Sequence, residues 1–167
     1  MSFPKLQPAM TVLVQIAAPM AVGSGSKGTP LNVIPMTSGT IKSEPGFEPA
    51  LDAVLDGVGY DYIRNDGSGE HMRLDVRSQV KNSDGTLLAL FYKGAVALSP
   101  GVTAILSGAA DAKTTGFGDS FVTMKFETGS PAYKSLETML LVAQGRFVKE
   151  ADGGITVEYR VSKVLAG

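Results

Sequence analysis

The chain has 167 residues with 15 basic and 16 acidic side chains, a formal net charge of −1. This length fits one domain, and the balanced charge shows no electrostatic footprint for a nucleic acid or an anionic membrane as partner. The absence of cysteine excludes disulfides, thiol nucleophiles and iron–sulfur clusters, and the single histidine, His71, excludes any metal site that needs two imidazoles. Carboxylates, tyrosines, arginines and lysines must therefore carry any chemistry.

The first predicted strands are residues 10–17 and 31–41. The apolar stretch 10–22 is too short to span a bilayer and has only Lys5 as a basic flank, so it is a poor signal sequence. We therefore expect a soluble, cytoplasmic protein. Residues 48–55 predict a helix of two turns.

Four Asp-Gly pairs, at 56–57, 66–67, 84–85 and 152–153, predict hairpin turns, because both residue types tolerate the positive φ that tight turns require. Residues 71–81, between the second and third pairs, alternate strictly between apolar and polar side chains. The apolar face carries Met72, Leu74, Val76 and Val80, and the polar face carries Arg73, Asp75, Arg77 and Gln79. This pattern predicts a strand, and residues 86–96 predict its return strand.

Further strands are predicted at 121–128, 139–148 and 155–165, and a second short helix at 132–139 follows the Ser130-Pro131 start signal. Residues 99–118 are rich in Gly, Ala and Thr and predict a long loop, either a lid over a pocket or a surface excursion. Many short strands with glycine-rich turns predict an all-β protein. We favour an antiparallel β-barrel over a sandwich, since closure leaves no exposed sheet edge.

The direction of the polar face of residues 71–81 decides what the protein can do. If Arg73, Asp75 and Arg77 point into the barrel they form a charged interior cluster; if they point outward they form a solvated ladder, which the cost of burying charge favours. Asp61 and Glu127 raise the same question, because a buried carboxyl keeps its proton at neutral pH and becomes a usable acid. A hydrolase or lyase with His71 as base is a further alternative, although no Gly-x-Ser-x-Gly elbow is present.

Several short motifs occur in a recognisable order along nearly the whole chain. They include residues 33–40 (VIPMTSGT), 59–62 (GYDY), 74–77 (LDVR), 126–133 (FETGSPAY) and 157–161 (VEYRV). Each motif is weak alone, but their order and spacing together resemble the domain-of-unknown-function 3237 family, also called uncharacterised protein family 0311, in its fungal secondary-metabolism type.

The resemblance implies a calycin-like antiparallel barrel with one or two short helices and an interior pocket. It also implies that Asp61, Asp75 with Arg77, and the segment 126–128 face that pocket. Fungal relatives occur with polyketide and meroterpenoid pathways, and one type is associated with cofactor-free ring closure on a prenylated aromatic polyketide. Departures from the family pattern at Ser78, Phe121 and 135–137 alter pocket size and hydrogen bonding, so one relative's substrate does not transfer directly.

We therefore predict a cofactor-independent cyclase or isomerase that adds a phenol hydroxyl across a prenyl alkene of a small, apolar aromatic substrate, with no metal. Asp61 or Glu127 would donate the proton and Asp75 would accept one, held ionised by Arg77. The predicted substrate-binding residues are Thr37, Tyr62, Arg73, Tyr92 and Phe121. The alternative is a lipocalin-like carrier of apolar metabolites without chemistry. We expect a homodimer.

Overall fold

The computed structural model describes residues 2–167, which form ten antiparallel strands and two short helical segments. The elements in chain order are β1 (Lys5–Ile16), β2 (Met20–Gly23), β3 (Leu31–Ser43), β4 (Asp52–Leu55), β5 (Gly59–Asn65), β6 (His71–Asn82), β7 (Leu87–Ala97), α1 (Pro100–Leu106), β8 (Ser120–Glu127), a 3-10 helix (Lys134–Thr138), β9 (Leu141–Lys149) and β10 (Ile155–Leu165).

The sheet closes on itself. Strands β6, β7, β8, β9 and β10 pair in sequence order, and β10 pairs with β1. Strand β1 also pairs with β3, which reaches β6 through β4 and β5. The predicted all-β antiparallel barrel is therefore confirmed.

The inner face of the wall is packed with apolar side chains. Alternation buries one side of most strands and is strict on β8, where Val122, Met124 and Phe126 are at most 4% exposed. Next to Met36 and Tyr92 the side chains leave an interior space of about 20 Å³, room for about one water molecule. This space is far smaller than the ligand-sized interior pocket that the family resemblance implies.

The hairpins predicted at Asp66-Gly67, Asp84-Gly85 and Asp152-Gly153 join β5 to β6, β6 to β7 and β9 to β10. The pair Asp56-Gly57 instead joins β4 to β5, and both of these strands pair with β3 and β6 rather than with each other. A turn signal fixes a change of chain direction, but it does not fix which strands become neighbours.

One helix prediction and one loop prediction were wrong. Residues 52–55 form β4, because backbone pairing with β3 and β6 outweighs the weak helix preference of a two-turn segment. The predicted loop 99–118 contains α1, which starts where Ser99 Oγ accepts a hydrogen bond from Val102 N at 3.4 Å and Pro100 takes the first turn. The predicted helix 132–139 is a 3-10 helix over Lys134–Thr138. Neither segment, nor any other helix in residues 2–167, has the length and apolar character needed to cross a membrane.

Candidate functional site

The polar face of β6 lies on the outside of the barrel. Met72, Leu74, Val76, Ser78 and Val80 are buried, whereas Arg73 and Arg77 are exposed and Asp75 is half-buried. The outward alternative that the sequence left open is therefore the one observed, and the implied placement of Asp75 and Arg77 in the interior was wrong. Alternation along the strand sends neighbouring residues to opposite sides, so the buried apolar face fixes the polar one.

Asp61 lies on the opposite side of the wall from these residues. It is on β5, opposite Ile34 of β3 and Val76 of β6, and is 9% exposed. The β5–β6 ladder is interrupted after Asp61↔Val76 and resumes at Arg64↔Arg73. At this interruption the backbone N–H of Asp75 donates to Asp61 Oδ1 at 3.1 Å. The Asp61 carboxyl therefore satisfies a backbone group within a local opening of the barrel wall.

Burial sets the protonation of Asp61. It raises the pKa of the carboxyl from 3.8 to about 7, although the hydrogen bond from the Asp75 backbone acts in the opposite direction and the negative charge of Asp75 adds a smaller increase. Asp61 is thus half-protonated near neutral pH and can release or take up a proton with little cost. That property suits a general acid or base.

Two buried tyrosines lie behind Asp61 in the barrel interior. The rings of Tyr92 and Tyr159 meet edge to face with centroids 5.3 Å apart, and Tyr92 Oη lies 3.6 Å from Met36 Sδ. Burial raises the pKa of both phenols, and the negative charge of Asp61 contributes to each increase. Both tyrosines therefore stay neutral while Asp61 titrates.

A depression of about 580 Å³ lies over the outer face of β5 and β6. Four of its eight lining residues are cationic, and the lining consists of Leu31, Tyr62, Arg64, Arg73, Leu74, Asp75, Arg77 and Lys93. The Asp75 carboxylate pairs with Lys93 Nζ at 3.1 Å, so Lys93 fills the place predicted for Arg77. The side chain of Asp75 thus faces the depression, whereas its backbone N–H donates a hydrogen bond to Asp61 on the inner side of the barrel wall.

The structure brings together only part of the predicted site. Tyr62, Arg73, Asp75 and Arg77 share the depression, with Asp61 directly behind its wall. Glu127 and Phe121 are exposed on the outer face of β8 and do not line the depression, because the odd-numbered positions of that strand point outward. Thr37 is exposed at a register shift, where Met36 and Ser38 pair with β1 and Thr37 does not.

Sequence reasoning missed Arg64 and Lys93. Lys93 lies opposite Asp75 because the three-residue loop 83–85 pairs residues whose numbers sum to 168. A two-residue turn at Asp84-Gly85 would give a sum of 169 and would place Gly94 opposite Asp75. Arg64 could be found only by knowing that β5 and β6 separate locally. Within residues 2–167, no three His, Asp or Glu side chains converge as a metal site would require.

A family model described as a protein of unknown function, DUF3237, matches residues 4–164. The chain belongs to the DUF3237 family. Among curated proteins, none matches the sequence.

Solved structures resemble this DUF3237 protein over nearly its whole length. A conserved protein of unknown function from Rhodopseudomonas palustris has a TM-score of 0.72 at 21% identity and covers 99% of both chains. A β-barrel-like protein from Acinetobacter baumannii has a TM-score of 0.72 at 23% identity, covering 98% of this chain and 97% of its own. A structure described as an enzyme from Penicillium herquei has a TM-score of 0.61 at 15% identity, covering 97% and 95%. At these identities the likeness shows a shared barrel fold.

Proposed function

We propose that this DUF3237 protein is a cofactor-independent cyclase that closes an oxygen ring by adding a phenol hydroxyl to a prenyl alkene of an aromatic substrate. The observation that carries the proposal is the pair of carboxyl groups linked across one strand. Asp61 is buried and about half-protonated near neutral pH, whereas Asp75 is paired with Lys93 at an accessible depression. Two carboxyl groups in such different environments can divide the roles of acid and base.

The reaction is an isomerisation, so atoms and electrons balance without a co-reactant. Asp61 does not line the depression, so the prenyl alkene would have to reach it through the interruption of the β5–β6 ladder. There Asp61 would donate its proton to the less substituted alkene carbon while the phenol oxygen forms a C–O bond to the more substituted one. The phenol proton passes to the Asp75 carboxylate. The Asp61 carboxylate and the protonated Asp75 then exchange a proton through water, which restores the starting state.

The charge of the depression favours a concerted addition. Arg64, Arg73, Arg77 and Lys93 line the site and would repel a free carbocation, but they stabilise negative charge on a phenol oxygen. We therefore propose that the C–O bond forms in step with proton transfer from Asp61. The depression, at about 580 Å³, has the size usual for small-molecule sites.

Three observations support an enzyme over a lipocalin-like carrier. The interior space of about 20 Å³ does not hold an apolar metabolite, and the larger depression is lined by charged groups. In addition, a barrel of similar fold from Penicillium herquei is described as an enzyme.

The test uses 2-(3-methylbut-2-enyl)phenol, which the proposed reaction converts to 2,2-dimethylchroman, with product analysis by gas chromatography. Asp61→Asn removes the acid and is expected to lower kcat by about 100-fold or more, and Asp75→Asn by about tenfold or more. The control Asp111→Asn removes an exposed carboxylate outside the depression and leaves turnover unchanged. Wild-type kcat should fall as pH rises above about 7, as Asp61 loses its proton. Full turnover by Asp61→Asn would exclude the mechanism.

A further inference from the structure

The cations around the outer depression are not all balanced by carboxylates. Arg73 makes a two-pronged contact with Asp66, with Nη2 2.6 Å from Oδ2, and Lys93 pairs with Asp75 at 3.1 Å. Among residues 2–167, Arg64 and Arg77 form no salt bridge, and the Arg64 guanidinium donates only to the Thr29 carbonyl, at 2.8 Å. Two positive charges therefore remain uncompensated at one concave surface, although the whole chain has a net charge of −1.

The register makes this arrangement unfavourable without a bound anion. Arg64 lies directly opposite Arg73 in the β5–β6 pair, and like charges directly opposite each other destabilise a sheet. Asp66 compensates Arg73 alone. A bound anion in the depression would reduce the repulsion between Arg64 and Arg73, which the protein's own carboxylates compensate only in part.

Aromatic side chains surround the unpaired Arg77. Cross-strand pairing places it between Tyr60 of β5 and Phe91 of β7, all on the outer face. Tyr62, two residues along from Tyr60, lines the depression and is 45% exposed. A planar guanidinium binds a carboxylate in two-pronged fashion, and an exposed tyrosine ring offers a face for stacking.

We propose that the depression binds an aromatic carboxylate, with its carboxylate group on Arg77 and its ring against Tyr62. This inference rests on the proposed function, because it names the substrate class of the same depression: an aromatic acid rather than the neutral, apolar aromatic expected from sequence. The ligand's carboxylate on Arg77 places the rest of the ligand beside Asp75, two residues along the same face of β6. A small molecule fits better than a nucleic acid, because the whole chain has a net charge of −1 and the depression has the size of a small-molecule site.

The binding test uses 2-naphthoate, with the neutral 2-naphthylmethanol as a probe of the same ring, and isothermal titration calorimetry at neutral pH. We expect 2-naphthoate to bind about tenfold more tightly than the alcohol, and Arg77→Gln to weaken its binding about tenfold. Arg77→Lys keeps the charge but not the two-pronged geometry and should fall between wild type and Arg77→Gln. Lys42→Gln is the control, since Lys42 is exposed, lies on β3 opposite Thr11 and does not line the depression.

Equal binding of the alcohol and the acid would overturn the inference, as would equal weakening by Lys42→Gln and Arg77→Gln or the absence of saturable naphthoate binding. Thermal melting of each variant shows that the fold is retained, which is expected because Arg77 is exposed. Failure of the two proposals is distinguishable. Cyclisation of the prenylphenol without naphthoate binding refutes the inference alone, and naphthoate binding without cyclisation of any prenylated phenol or prenylated hydroxybenzoate refutes the proposed function alone.

Discussion

Replacing Asp61 by Asn should make the protein more stable at alkaline pH and leave its stability near pH 4 almost unchanged. The pKa of Asp61 is 3.8 without burial and about 7 in the fold. Between these values the unfolded chain has lost the proton that the folded protein still holds, so the free energy of unfolding falls as pH rises. About three pH units at 1.36 kcal/mol each give about 4 kcal/mol of lost stability above pH 7.

Asparagine resembles the protonated carboxyl and can still accept the hydrogen bond from the Asp75 backbone, but it has no proton to lose. Urea unfolding of wild type and Asp61→Asn at pH 4, 6 and 8 measures the difference directly. The two proteins should differ little at pH 4, and Asp61→Asn should be the more stable by several kcal/mol at pH 8. The control Asp111→Asn, at an exposed carboxylate outside the depression, should leave the free energy of unfolding unchanged at all three pH values. A difference between wild type and Asp61→Asn that does not change with pH would refute the burial argument.

The barrel could be predicted from sequence because its signals are local. Alternation on β6 identified the buried face from Met72 to Val80, and three Asp-Gly turns joined the correct strands. The α1 helix was missed because its start depends on one serine cap and one proline, within a segment whose composition resembles a loop. The serine cap accepts a hydrogen bond from a backbone N–H at the start of the helix. Such N–H groups lack a partner only once the helix has formed, so the sequence alone does not show them.

The site could be predicted only in part. The alternation along a strand determines which way a side chain points, whereas the pairing between strands determines which side chains lie close together. Asp61 and Asp75 are both acidic residues in strands, but alternation puts one behind the wall and the other outside it. Their contact depends on the interrupted β5–β6 ladder, which no pattern in the sequence indicates. Lys93 lies opposite Asp75 through hairpin register, which depends on whether the turn at Asp84-Gly85 has two or three residues. Glu127 was assigned from a motif, and motif membership does not determine which face of a strand a residue occupies.

The remaining predictions test the wall itself. A Cβ at Gly94 would lie 2.7 Å from Val122 Cα, so Gly94→Ala should lower the free energy of unfolding by about 1–3 kcal/mol. In the control Gly116→Ala the new Cβ meets open space, so the melting temperature should not change. Equal melting temperatures of the two variants would contradict the predicted clash at Gly94. Arg146→Gln should cost about 2 kcal/mol, because Glu158 is only 5% exposed and loses the partner that binds Oε2 at 2.7 Å. Arg160 still contacts Oε1 at 2.9 Å, so the carboxylate is not left wholly unpaired and the loss stays below that for a fully stranded buried charge. Urea unfolding that shows no loss in Arg146→Gln would mean that water or Arg160 alone satisfies Glu158.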